Sequence, residues 1–161
     1  MASDYLLKID GVKGESGDSK HPEWIELESW SWGETQTGSM SSGSGGGAGK
    51  VSMQDFSFTA RLSSATPDLM AACASGKHFS KVELVCRKAG EEQNPFLKLE
   101  LNDVLVSSYQ TGGSNGSDPV PIESFSLNFA KIKVEYFKQD AKGKTASAGV
   151  ATWDLKKNAK V

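Results

Sequence analysis

The sequence predicts a mainly β protein, a single closed or two-sheet antiparallel β-barrel with one short flanking α-helix at about residues 67–75. Two patterns carry that reading. Apolar and polar residues alternate with a period of two through most of the 161 residues, the mark of half-buried strands. Within Glu23 to Trp32 the apolar set changes parity, from Ile25 and Leu27 to Trp30 and Trp32. A strand that switches faces carries a bulge or turns a barrel corner, and Glu28 or Ser29 is where the break belongs.

The other elements follow in order. Tyr5, Leu7 and Ile9 alternate with Leu6, Lys8 and Asp10, and Phe56, Phe58, Ala60 and Leu62 with Ser57, Thr59 and Arg61. The same pattern holds for Val82, Leu84 and Cys86, for Leu97, Leu99 and Leu101, for Phe125, Leu127 and Phe129, and for Ile132, Val134 and Tyr136, with a weaker match from Val150 to Leu155. About eight strands result, mostly antiparallel because their connections are short. The helix interrupts them at Ser64 to Gly76: Thr66 is expected to cap it, Pro67 suits the first helical position, Asp68 suits the positive end of the dipole and Gly76 the left-handed stop. Leu69, Met70 and Cys73 should share a face. So short a helix is not stable alone and must pack on the barrel.

One segment fits no element. From Thr37 to Gly49, ten of thirteen residues are Gly or Ser. Such a run cannot build a core, and a loop much longer than the usual four to six or so residues is functional or a linker. Otherwise the chain reads as one domain over residues 1–161, with 37% hydrophobic and 24% charged residues.

Composition and spacing exclude several functions. A formal charge of −2 offers no footprint for nucleic acid. Neither a signal peptide nor a membrane-spanning apolar stretch is visible, so insertion in a membrane is not expected. Cys73 and Cys86 fall in apolar segments and read as small buried hydrophobes, while His21 and His78 read as loop residues; no pair has zinc-site spacing. Ala48-Gly49-Lys50 resembles the end of a phosphate-binding loop, but Ser44 stands where that loop needs Gly and Val51 where it needs a hydroxyl. No nucleophile elbow occurs, and Cys73 with His78 is the sole thinkable thiol and base pair. The expectation is therefore no enzyme, no catalytic residues, no metal and no cofactor. Trp24, Trp30 and Trp32 could form a sugar-binding platform, which makes a lectin-like carbohydrate-binding barrel the alternative reading, although Trp30 and Trp32 alternate with serines as core residues do.

Several segments taken together point further. Trp30-Ser31-Trp32-Gly33 followed by Gln36 to Ser39, Gly45 to Val51, Asp55 to Thr59, Thr66-Pro67 with Leu69-Met70 and Ser75 to His78, Leu105 to Ser108 with Thr111 to Ser114, and Ser126 to Ala130 resemble the haemolysin-coregulated proteins, Hcp, of bacterial type VI secretion systems. The resemblance runs over about the whole chain and is weakest after Tyr136. It implies a compact barrel assembled as a homohexameric ring, with rings stacked into the inner tube of a contractile injection machine. It further implies spike and sheath proteins as partners, small effector proteins as cargo held and protected in the lumen, and a life in the bacterial cytoplasm that ends in secretion outside or into a target cell. With that assembly in view, the Gly/Ser arm at 37–50 is expected to reach across stacked rings through Thr37, Gly38, Ser39, Met40, Gly45, Gly46, Gly47 and Lys50, with Lys50 near a carboxylate. Strand parity then turns Ser29 and Ser31 toward the lumen and its cargo.

Overall fold

The computed structural model describes residues 3–38, 48–90, 93–116 and 120–161. Among these it forms ten strands and one helix: β1 (Ser3–Ile9), β2 (Ile25–Ser31), β3 (Glu34–Gly38), β4 (Ala48–Met53), β5 (Phe56–Arg61), α1 (Thr66–Ser75), β6 (His78–Lys88), β7 (Pro95–Gly112), β8 (Ile122–Asn128), β9 (Lys131–Gln139) and β10 (Thr145–Asp154). All pairings are antiparallel. Six strands close a barrel in the order β7-β6-β1-β2-β5-β8 and back to β7. The remaining main-sheet strands, β9 and β10, extend outward from β7, and β3 and β4 make a separate two-stranded sheet.

The expected face switch in β2 is present. Its register against β5 shifts between Leu27 and Ser29, so the chain bulges at Glu28 and Trp30 turns inward. The core is built from alternate residues of the barrel strands, with Leu7, Ile9, Ile25, Phe56, Phe58, Phe125 and Leu127 all but fully buried. Trp30 and Trp32 stack on Phe56 and Tyr5 meets Trp30 edge-on, so both indoles belong to the aromatic core.

β7 is far longer than the five residues its alternation showed. Its first half, Leu97 to Asn102, pairs with β9, while Leu105 to Gly112 pairs with β8. The change of partner falls at Asp103, whose φ of 52° is left-handed. Strands β3 and β4 occupy both ends of the segment expected to be a loop, so Thr37, Gly38 and Lys50 lie on paired strands. Ser39, Met40, Gly45, Gly46 and Gly47 lie outside the described residues.

The helix also differs in detail. It stops at Gly76 with φ 68°, as expected, but Ala65 holds the cap position and makes no cap bond through its side chain. Thr66 is engaged elsewhere, since its hydroxyl accepts from the Ser63 amide and donates to the buried Glu123 carboxylate at 2.9 Å. Leu69 and Ala72 are the buried contacts, whereas Met70 is 58% exposed and points away from the barrel.

Candidate assembly surfaces

One outer face of the barrel is made almost entirely of hydroxyls. Cross-strand register puts Ser31, Ser57, Ser126 and Ser108 in one row over β2, β5, β8 and β7, and Ser29, Thr59, Ser124 and Gln110 in the next. Ser29, Ser31, Ser57, Ser108 and Ser124 are exposed. The reverse side of the same strands carries Trp30, Phe58, Phe125 and Tyr109, so the face is the necessary counterpart of the aromatic core. At one border a bulge at Ser107 turns that side chain to Ser126 at 2.7 Å and to Asp55 at 2.6 Å, and Asn128 donates to the other Asp55 oxygen at 2.8 Å. At the other border Arg61 pairs with Glu28 at 3.0 Å. Charges thus sit at the margins, and the rows between them are neutral.

A second surface is apolar. Core rows continue beyond the barrel onto β9 and β10: Ile9, Val82 and Leu101 lead to Ile132 and Trp153, and Leu7, Leu84 and Leu99 to Val134 and Ala151. Burial falls along each row, from Leu7 fully buried to Ala151 exposed. Between this overhang and the β3–β4 hairpin lies a groove of about 830 Å³ lined by Trp32, Val51, Met53, Val134, Val150 and Trp153, among others. The indole N–H groups of Trp32 and Trp153 are buried there with no acceptor among the described residues. Among the described residues β10 pairs with β9 and, at its last residue, bridges Ala159 of the tail through Asp154; the rest of that outer edge is unpaired, and no proline or charge interrupts Thr145 to Trp153. Such an edge is a template for another strand. A two-stranded sheet is marginal by itself, and this one hydrogen-bonds to no strand of the main sheet; Met53 at its base packs against the core.

The opposite outer flank is closed by the protein itself. The segment from Val12 to Trp24 lies outside the barrel, held by Arg87, which is 4% exposed and donates to Asp18 and, at 3.3 Å, to Asp4. His21 completes the cluster beside Asp18 at 3.3 Å. The guanidinium beside it holds the Asp18 carboxyl far below the usual carboxylate range, helped by the Lys20 and His21 amides and opposed by burial. Trp24 meets His21 edge-on. The three tryptophans therefore do not converge on a platform, and the lectin-like reading loses its site.

The residues suited to chemistry are dispersed. Cys73 is half-buried and His78 exposed on β6. Burial pushes the Cys86 thiol up to about 12, which leaves it protonated and inert. Among the described residues no three His, Cys, Asp or Glu side chains come together as metal ligands would. Glu123, fully buried, accepts from Thr66 and, at 2.7 Å, from Tyr109, and so ties α1 to the barrel wall. Desolvation, with this carboxylate second, raises the Tyr109 hydroxyl to about 12.

A family model described as "Type VI secretion system effector, Hcp" matches residues 6–136. The chain belongs to the Hcp family. Protein hcp1 of Pseudomonas aeruginosa is 52% identical over 160 residues, covering 98% of each chain. A solved structure described as a type six secretion system protein matches with a TM-score of 0.94 at 33% identity, over 99% of this chain and 100% of the other. Hcp1 from Salmonella typhimurium matches with a TM-score of 0.82 at 37% identity over the whole of both chains. Hcp membership sets the protein among type VI secretion proteins and apart from enzyme families.

On this Hcp barrel the residues singled out in the sequence separate into two groups. Ser29 and Ser31 are exposed on the hydroxyl face, at one end of its two rows. Lys50 is exposed on β4 and makes no ion pair among the described residues. Sequence reasoning missed Ser57, Thr59, Ser124, Ser126 and Ser108. Ser57, Thr59, Ser124 and Ser126 were visible as polar partners in alternating strands, whereas Ser108 lies in the part of β7 that alternation did not show, and only the register aligns them with Ser31. No helix among the described residues is long and apolar enough to cross a membrane.

Proposed function

We propose that six copies of this protein join head-to-tail into a closed ring, that rings stack into the inner tube of a type VI secretion machine, and that the hydroxyl face lines the lumen. The face carries the reading: two rows of small, neutral hydrogen-bonding side chains over four strands make a wall that contacts a polar passenger without gripping it by charge. The open β10 edge and the apolar groove supply what a ring contact needs, an unpaired strand and desolvable surface on one side of the subunit. The hairpin whose described arms are β3 and β4 forms a sheet separate from the barrel and is the arm by which one ring engages the next. The tube travels with a spike protein at its tip inside a sheath, and small effector proteins ride in its lumen. The subunit is made in the bacterial cytoplasm and leaves with the tube.

Two variants test the parts separately by negative-stain electron microscopy and cargo pull-down. Deleting residues 40–48 should leave single rings and abolish stacked tubes. Replacing Ser31 with Trp should leave rings intact and lower retention of a co-expressed effector. Tubes that persist after the deletion would remove the arm from the proposal, and unchanged retention in the Ser31 variant would remove the lumen assignment.

A further inference from the structure

The turn between β7 and β8 carries the pair Asn115–Gly116, and its surroundings differ from those of every other asparagine in the protein. Both residues are exposed, and among the described residues neither the Asn115 carboxamide nor the Gly116 N–H has a hydrogen-bond partner. A Cβ built on Gly116 would meet only the Ser114 hydroxyl, at 3.7 Å. The base of the turn is pinned, since a Cβ on Gly113 would lie 3.3 Å from the Pro121 ring and Leu62 donates to the Pro121 carbonyl. Asn115 and Gly116 thus lack the contacts that hold Gly113 and Pro121 below them.

The other four asparagines are each blocked. Asn94 precedes Pro95, which has no N–H, and its amide donates to the Gly143 carbonyl. The Asn102 amide, on β7, donates to the Ser80 carbonyl, and the Asn128 amide donates to Asp55. After Asn158, the Ala159 N–H is bonded to the Asp154 carbonyl.

We propose that Asn115–Gly116 is a self-modification site, where the folded protein turns its own asparagine into an acid through a cyclic imide. The Gly116 backbone nitrogen, losing its proton to solvent, attacks the carboxamide carbon of Asn115. The new N–C bond closes a five-membered ring as the carboxamide C–N bond breaks and ammonia departs. Water then opens one of the two imide carbonyls, giving aspartate or, when the backbone carbonyl is attacked, isoaspartate. Water is the one co-reactant. The approach needs a residue after the asparagine that can swing without steric hindrance at its Cβ, which glycine allows and other residues resist. Either product leaves the protein one charge more negative than its formal −2, and the isoaspartate reroutes the backbone of a barrel turn through an extra methylene. The conversion places a carboxylate on the turn between β7 and β8, two strands of the otherwise neutral hydroxyl face.

The test incubates the intact, folded full-length protein over days at mildly alkaline and mildly acidic pH, with peptide mapping by mass spectrometry and isoaspartate labelling by an isoaspartyl methyltransferase. Conversion should be confined to the 115–116 peptide, faster at the alkaline pH, and slowed several-fold in Gly116→Val while the thermal midpoint stays as in the parent. Asn115→Gln should remove the methyltransferase label from that peptide. Retention of the Asn115 amide in the folded protein while the urea-unfolded form loses it would overturn the proposal, and so would equal conversion at Asn102 or Asn128.

Discussion

At the scale of single residues, Arg87 and Asp18 show how charge is used where the core cannot reach. Leu6 and Val85 point to the outside of the barrel yet are only 3% and 5% exposed. The segment from Val12 to Trp24 flanks them, and its Asp18 carries the ion pair to Arg87. An ion pair of this kind contributes when both partners stay charged, and neutralising Asp18 leaves the buried Arg87 with Asp4 as its remaining carboxylate. Asp18 has its folded pKa depressed below the ordinary carboxylate value of 3.8, chiefly by the hydrogen bond from Arg87. Its contribution to stability is thus full above that value and is lost as the pH falls below it. Asp18→Asn should therefore lower the thermal midpoint by several degrees at neutral pH, with the gap to the parent closing in strong acid. Calorimetry across that range checks it; a gap that stays constant with pH would mean that the contribution of Asp18 is not its charge.

At the scale of elements, what was legible in the sequence depended on whether an element keeps one period. The helix announced both its ends through Pro67 and Gly76, because a fixed φ and a left-handed φ each suit few residues. Gly76→Ala should cost about 1 kcal/mol, for although nothing lies within 4 Å of the added methyl its φ of 68° disfavours any side chain. A urea midpoint lowered at constant m-value is the expected result. The face switch in β2 was legible because two aromatic and two aliphatic residues sit on opposite parities. The second half of β7 was not. Leu97, Leu99 and Leu101 share one parity, Asp103 then breaks the strand so that Val104 and Val106 take the other, and the Ser107 bulge returns Tyr109 to the first. Three short phases of alternation cancel in any window long enough to reveal one. β3 and β4 stayed hidden for a different reason: the run Gln36-Thr37-Gly38 and the run Ala48-Gly49-Lys50 hold no large apolar residue, so no alternation marks them as strands. The hydroxyl rows were half legible, because parity exposes the serines of β2, β5 and β8 while only the register joins them to each other and to Ser108.

At the scale of the whole molecule, the barrel is closed and β10 is not. A closed six-strand barrel has no edge to protect, whereas β10 exposes one along Ala146 to Ala151, beside a groove whose apolar rows are continuous with the core. Natural edge strands left free usually carry a lysine, a proline or an inward charge, and β10 has none before Asp154. A charge placed there separates folding from assembly. Ala151 is exposed in the subunit, so Ala151→Lys should change folding stability by no more than about 0.5 kcal/mol. In a ring that covers the groove the same ammonium would be buried without a partner, a penalty of several kcal/mol per contact. The expected outcome is a protein with the parent's circular dichroism and urea midpoint that sediments as a monomer, while the 40–48 deletion still sediments as rings. Intact rings from Ala151→Lys would move the subunit contact away from β10 and leave the groove without an occupant. Loss of rings together with the urea midpoint would mean that the edge serves the barrel before it serves the assembly.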